Sequence, residues 1–159
     1  MMKIKSWIAS IALLLAFNEG INVRVFAIPN LSTELESLRQ SLEKAGFIVK
    51  FEKPPAQGTY GLFNVKKKTI WIAPITKEMG IFKATFVHEA VHAAQTCKTG
   101  KLEPIGWNLK VDSAVETAVN SILYRNYPSE KFEIEREAFL MQGQKDAVEN
   151  LKAVFKKDC

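Results

Sequence analysis

The only two histidines of the chain lie four residues apart, at His88 and His92, and this spacing strongly constrains how the chain folds. Positions 81–99 contain neither proline nor glycine, so the segment around both histidines is predicted to be one continuous helix. Residues four apart lie on one face of a helix, and both imidazole rings are therefore expected to point toward the same place. Apolar residues at helical spacing give this segment a face to bury against a core: Phe82, Val87, Val91 and Ala94.

The residue after the first histidine is Glu89, which completes the pattern H-E-x-x-H. Two imidazole nitrogens on one helix face can bind one metal ion, and the glutamate can accept a proton from a metal-bound water without being a ligand. Zinc lowers the pKa of such a water to about 7. The alternative is a buried helix with two hydrogen-bonded histidines and a surface glutamate. Because both histidines of the chain fall in the pattern, we favour a zinc site with Glu89 as the catalytic base.

A catalytic zinc site needs a third protein ligand and one open position. The chain has no third histidine, and the longer pattern H-E-x-x-H-x-x-G-x-x-H is absent because position 95 is Gln and position 98 is Lys. The third ligand is therefore expected to be a carboxylate from a later part of the chain. Six acidic residues are candidates: Glu103, Asp112, Glu116, Glu133, Glu135 and Glu137.

Three of these acids fall in one predicted helix, at 128–142, and their positions predict different surroundings. Glu133 and Glu137 are four apart and share a face, which is typical of a solvated helix surface with ion pairs. Glu135 lies elsewhere, among apolar neighbours, and is expected to be the more buried acid. A buried carboxylate without a partner is costly, so burial of Glu135 would itself indicate a metal ion or another cation. Glu133 and Glu137 remain alternative ligands.

The H-E-x-x-H pattern at 88–92, followed by Glu-Arg-Glu-Ala at 135–138, resembles the gluzincin class of zinc metallopeptidases. In that class an Asp often follows the Ala and orients a zinc-bound histidine, whereas this chain has Phe139 at that position. The chain also resembles small exported proteins that carry H-E-A-x-H-x-x-Q-x-C, with Gln95 and Cys97 as the matching residues.

The resemblance implies a set of site residues and a reaction. His88, His92 and Glu135 are then the ligands of Zn²⁺, and Glu89 is the general base and later the proton donor in hydrolysis of a peptide or protein substrate. In zinc peptidases of this architecture, the strand beside the motif helix forms one wall of the cleft and pairs with an extended substrate. The strand at 69–73 either takes that role or is an ordinary core strand of the sheet.

Turn residues and hydrophobic patterns predict the remaining elements of a small α+β, zincin-like domain. A first helix, capped by Ser32 or by Thr33 with Glu36 in a capping box, is expected to end at Gly46. The other expected elements are strands at 47–51, 59–65 and 69–75, a lysine hairpin tip at 66–68, and helices at 112–126, 128–142 and 147–155.

The N-terminus reads as a signal peptide. Lys3 and Lys5 precede an apolar run at 7–17 that is too short to span a bilayer comfortably, and we place cleavage after Ala27. This gives a signal peptide at 1–27, a domain at 28–159 and an exported protein without a stable membrane span; an uncleaved N-terminal anchor is the alternative. Removing the leader takes three basic residues and one acidic residue, so the net charge falls from +5 to +3. That mild charge gives no reason to expect a nucleic-acid partner.

Cysteines and tyrosines leave two questions open. Export permits disulfides, so Cys97 and Cys159 are expected to form one bridge, or else Cys97 is a small buried residue and Cys159 stays unpaired. Hydrolysis also requires a donor to the developing oxyanion, and the sequence does not select one from three tyrosines: Tyr60, Tyr124 and Tyr127.

The motif therefore favours an exported zinc metallopeptidase. An exported zinc-binding module with little or no hydrolytic activity is the second hypothesis, because the short chain leaves little material for specificity pockets. A helical interaction protein without a metal is the third.

Overall fold

The structure, a computed structural model, describes residues 30–159. Within this range the chain forms six α-helices, one 3₁₀ turn and a three-stranded sheet, which confirms the small α+β domain. The predicted signal peptide, and with it the predicted export, lies outside the described residues. The elements in chain order are α1 Thr33–Lys44, β1 Ile48–Lys50, β2 Gly61–Asn64, β3 Thr69–Ile72, α2 Ile75–Glu78, α3 Phe82–Gln95, α4 Ser113–Asn126, the 3₁₀ turn Ser129–Lys131, α5 Phe132–Met141 and α6 Ala147–Asp158.

Helix α1 is capped by Ser32, whose hydroxyl accepts a hydrogen bond from a backbone N–H of the first turn at 3.3 Å. The capping box predicted for Thr33 and Glu36 does not form. With Ser32 as the cap, Glu36 lies one position too late in the first turn, and its carboxylate binds Arg39 instead. The predicted end at Gly46 is confirmed, because this residue has a φ of +86° and its N–H bonds back to the last turn.

The sheet has the strand order β1-β3-β2, so β3 is central. Strand β3 pairs in parallel with β1 and antiparallel with β2, and the lysine turn at 66–68 joins β2 to β3 as predicted. Of the two roles considered for 69–73, the structure shows the ordinary core strand: residues 69–72 are buried, and neighbouring strands use both edges of β3, which leaves no edge for an extended substrate. Within the described residues, the strand that packs against α3 and keeps one edge unpaired is β2.

Helix α3 runs through the middle of the domain, packed against β2 and β3, α5 and α6. Every residue at 86–95 is buried. A helix buried on all sides needs apolar or small residues on every face, and here only the motif residues and Gln95 are polar. Side chains from the other elements complete the core around α3: Leu38, Leu42, Ile70, Ile72, Met141 and Leu151.

The elements on either side of α3 follow the sequence pattern in position, with two differences. Helix α4 begins at its predicted cap Asp112, whose carboxylate accepts the N–H of Ala114 at 2.7 Å. Of the apolar residues of α4 itself, Val119 and Leu123 are buried against α5, while Val115 and Ile122 are exposed. The short helix α2 follows directly after β3, where the sequence pattern predicts the end of a strand and a loop.

A disulfide joins Cys97 to Cys159, which settles the open question of their pairing. The bridge connects the turn after α3 to the end of α6. Among the helices at 30–159, none has the length and apolar character needed to cross a bilayer.

Candidate metal centre

Helix α3 places both histidines and Glu89 side by side in the interior. His88 and His92 are each exposed by less than a tenth, and their Nε2 atoms lie 3.1 Å apart. This closeness follows from the four-residue spacing, because one helical turn separates the two side chains. The sequence prediction that both imidazoles point to the same place is confirmed.

Helix α5 brings Glu135 to the two histidines. Its Oε2 atom lies 3.3 Å from Nε2 of His88 and 3.4 Å from Nε2 of His92. One ligand atom from each of the three residues falls within 4.8 Å of the others, which is a group that can hold one metal ion. Burial raises the pKa of Glu135, but its contacts with the two histidines outweigh burial and lower the pKa to about 2. Glu135 is therefore the charged carboxylate that the site requires.

The other acidic candidates have different roles. Glu133 and Glu103 are exposed, Asp112 caps α4, and Glu116 pairs with Arg136. The sequence places Glu137 on a solvated face, and this prediction is wrong, because Glu137 is only 7% exposed. Its carboxylate binds Gln95 and the backbone of the segment after α3.

Gln95 fixes which nitrogen of His92 carries a proton in the neutral ring. The amide nitrogen of Gln95 donates to the carbonyl of Ile134 at 3.0 Å and to Glu137 at 2.9 Å, which uses both of its hydrogens. Its oxygen must then accept from Nδ1 of His92, 2.9 Å away. Nε2 of His92 is therefore left with a free lone pair directed at the cluster.

Two electron-rich nitrogens and a carboxylate oxygen that converge in a buried space repel one another unless a positive charge lies between them. The pKa of His92 is raised for this reason. Burial opposes the charged form of the ring, but the nearby carboxylates of Glu135 and Glu89 favour it and outweigh burial. Either a proton or a metal ion can supply the charge, and the lone pairs of His88 and His92 are the donors a metal ion would use.

His88 is held from its other side by residues of α5 and the turn after it. Its Nδ1 lies 3.1 Å from Oε1 of Gln142, and its ring packs edge-on against Phe139 with the ring centres 4.7 Å apart. Phe139 cannot form a hydrogen bond with this nitrogen, so the side chain that does so is Gln142, three residues later.

Glu89 faces the edge of strand β2. A Cβ built on Gly61 would lie 2.5 Å from Oε1 of Glu89 and 2.7 Å from Cγ2 of Thr85, so a larger residue there would have to displace one of these groups. Burial raises the pKa of Glu89, while the two histidines and the backbone amide of Phe63 lower it to a smaller extent. The result is a carboxylate that binds a proton more readily than a surface glutamate does.

The structure distinguishes the three tyrosines. Tyr124 is 76% exposed and packs edge-on against Phe132, and Tyr60 is 47% exposed at the rim of the site. Tyr127 is half-buried beside the cluster, where burial, Glu135 and Glu89 raise its pKa to about 12. Tyr127 therefore keeps its hydroxyl proton at neutral pH and can donate it in a hydrogen bond.

A cleft passes across the cluster in two parts. One cavity of about 430 Å³ extends toward Ile81, Ala84 and Gln142. A second of about 410 Å³ extends toward Leu102 and Lys131. The two parts share five lining residues: Thr59, Gly61, His88, Glu89 and Tyr127.

Residues 27–159 match the family described as Domain of unknown function (DUF8637). The chain belongs to this family. No curated protein and no solved structure matches it. Because the family description names no activity, the function of this DUF8637 member has to be inferred from the site itself.

Several site residues of this DUF8637 domain could not be found from the sequence. Gln142 and Gly61 reach the site through tertiary contacts, and no local pattern marks them. Glu137 was a candidate ligand, but its contacts with Gln95 and the loop after α3 could not be predicted. Gln95 carried a weak signal, because it occupies the glutamine position in the pattern H-E-A-x-H-x-x-Q-x-C.

Proposed function

We propose that this protein is an exported zinc-dependent metallopeptidase of gluzincin type. His88, His92 and Glu135 hold the zinc ion, and Glu89 acts as general base. The observation that carries the proposal is the convergence of three ligand atoms within 4.8 Å, with a buried fourth side chain, Glu89, beside them in an open cleft. When bound, zinc would lower the pKa of a water molecule to about 7 and polarise a carbonyl group.

The donor set supports zinc over other common metals. Two imidazoles and one carboxylate form a known catalytic zinc set, whereas magnesium and calcium prefer sites built from oxygen atoms. The fixed tautomer of His92 presents a nitrogen lone pair, as a zinc ligand must.

Glu89 would transfer protons during the reaction, and Tyr127 would stabilise the negative charge that develops on the substrate. The raised pKa of Glu89 suits a group that accepts a proton from the attacking water and returns it to the leaving amine near neutral pH. Tyr127, with a pKa of about 12, would donate a hydrogen bond to the developing oxyanion.

The edge of β2 supports an extended peptide as substrate. The backbone N–H of Ala73 donates a hydrogen bond to the carbonyl of Tyr60 at 2.8 Å. Along an antiparallel strand, the backbone groups of successive residues point alternately toward the partner strand and away from it. The backbone groups of Gly61 and Phe63 therefore point to the outer edge, beside Glu89. A peptide lying along this edge would occupy both parts of the cleft, which favours cleavage of an internal bond.

Zinc content per chain tests the metal site. We expect one zinc in the purified protein, a marked loss in Glu135→Ala, and no change in Glu133→Ala, which removes an exposed acid from the same helix. Equal zinc in the native protein and Glu135→Ala would contradict this ligand set.

Activity separates a peptidase from a zinc-binding module. We expect hydrolysis of members of a peptide library by the native protein, and loss of that activity in Glu89→Ala with zinc still bound. A protein that binds zinc but cleaves no peptide would instead be a binding module.

A further inference from the structure

The buried carboxylate of Glu137 lies outside the ligand set, yet it is the most heavily hydrogen-bonded acid near the site. It accepts the backbone N–H of Ile105 at 2.9 Å, of Gly106 at 2.7 Å and of Trp107 at 3.2 Å. It also accepts the amide of Gln95 at 2.9 Å. Hydrogen bonds to a charged acceptor are among the stronger ones in proteins, so Glu137 fixes both Gln95 and the loop.

The loop held by Glu137 is part of the cleft. Residues 101–111 contain no helix or strand, so few backbone hydrogen bonds of their own hold them in place. Leu102, in the same loop, lines the second cavity beside His92 and Glu135. The position of this wall therefore depends on Glu137.

Gln95 connects Glu137 to the candidate metal ligand. Its amide oxygen accepts from Nδ1 of His92 at 2.9 Å, and its amide nitrogen donates to Glu137. A continuous chain of hydrogen bonds thus runs from the loop amides through Glu137 and Gln95 to His92.

We propose that Gln95 and Glu137 are positioning residues that couple the metal ligand His92 to the cleft-wall loop at 101–111. This inference rests on the proposed zinc site and deepens it. Gln95 holds the ring and tautomer of His92, and Glu137 holds Gln95 and the loop together. Binding of a metal ion then favours an ordered loop at 101–111, and an ordered loop favours binding of the metal ion.

A double-mutant cycle on zinc affinity tests this series of hydrogen bonds. Gln95→Leu removes all three hydrogen bonds of the amide, and Glu137→Gln replaces one acceptor oxygen by a donor that faces backbone N–H groups. We expect each to weaken zinc binding by about 10- to 100-fold, the usual cost of losing a hydrogen-bond partner of a metal ligand. The double variant should be no weaker than the weaker single variant, because both act through His92. Competition with a chromophoric chelator measures the affinities, and Glu133→Gln is the matched control.

Two further measurements separate positioning from general damage. The absorption spectrum of bound Co²⁺ should change in Gln95→Leu, because the ligand geometry at His92 changes. Hydrogen exchange at the amides of Ile105, Gly106 and Trp107 should slow when zinc binds to the native protein, and zinc should have no such effect in Gln95→Leu.

The outcomes distinguish failure of this inference from failure of the proposed function. If the native protein binds no zinc, the proposed function and this inference both fail. Zinc binding that is unchanged in Gln95→Leu and Glu137→Gln, or losses that multiply in the double variant, would overturn the inference alone. If Glu137→Gln does not fold, Gln95→Leu decides through its affinity and its Co²⁺ spectrum.

Discussion

Gly61 and Glu89 are in direct contact across the interface between β2 and α3, with no room for even one more carbon atom. A Cβ on Gly61 would stand 2.5 Å from the carboxylate oxygen of Glu89 and 2.8 Å from its Cγ. The absence of a side chain at this position therefore allows the sheet edge and the proposed base to lie side by side. Glycine is also a residue that lets another group approach a strand closely.

Gly61→Ala should consequently displace Glu89 or the edge of β2, while leaving the zinc ligands in place. We expect peptidase activity to fall about 100-fold, since a misplacement near 1 Å has that effect on a catalytic group. Zinc content should stay at one per chain. Steady-state kinetics on a peptide substrate and metal analysis of the same preparation would check both.

The matched control for Gly61 is Gly143→Ala. A Cβ at Gly143 meets nothing closer than a backbone oxygen at 3.9 Å. Its activity should equal that of the native protein. Normal activity in Gly61→Ala would mean that the close approach to Glu89 is unimportant for catalysis.

Tyr127→Phe tests the proposed oxyanion donor, because it removes only the hydroxyl. We expect kcat to fall about 100- to 1000-fold, as for loss of one such donor, with little change in KM or in zinc content. Tyr124→Phe is the control, since that side chain is 76% exposed and packs edge-on against Phe132 instead. Equal losses in the two variants, or a change in KM alone, would contradict the assignment.

The three residues of the candidate metal centre could be predicted from the sequence because their geometry is mostly local. Helical spacing alone brings His88 and His92 together. The apolar neighbours of Glu135 predicted that it would be the more buried acid, but Glu137 is buried more deeply. Glu137 shows where this reasoning stops. Its helical position suggested a solvated face, but the loop after α3 folds over that face and supplies three backbone N–H groups.

The sheet shows the same limit for strands. Residue composition located β2 and β3, yet it did not reveal that β1 would pair in parallel with β3 and make it central. Strand order depends on contacts between residues far apart in the chain. The strand edge that faces the cleft is therefore that of β2 and not of 69–73. This edge includes Gly61, where a side chain would collide with Glu89.

The disulfide should stabilise the domain without being part of the metal site. Cys97 and Cys159 are 62 residues apart, and a bridge that closes a loop of this size is worth about 2–4 kcal/mol. We expect Cys97→Ser with Cys159→Ser to lower the free energy of urea unfolding by about that amount, while zinc still binds. Adding a reductant should destabilise the native protein and leave the double variant unchanged. An equal effect of reductant on both proteins would show that the bridge does not contribute.

Zinc itself should raise the stability of the domain, because its ligands come together only in the folded chain. His88 and His92 lie on α3 while Glu135 lies on α5, so the ion would join two helices that the unfolded chain keeps apart. A ligand that binds only the folded state adds about 2.7 kcal/mol at a free concentration one hundred times its dissociation constant. The Tm of the native protein and of Glu133→Ala should therefore rise by several degrees with zinc and fall after chelation. The Tm of Glu135→Ala should respond much less at the same zinc concentration, because a ligand is missing. A native Tm that neither zinc nor a chelator moves would rule out a metal ion as a tie between α3 and α5.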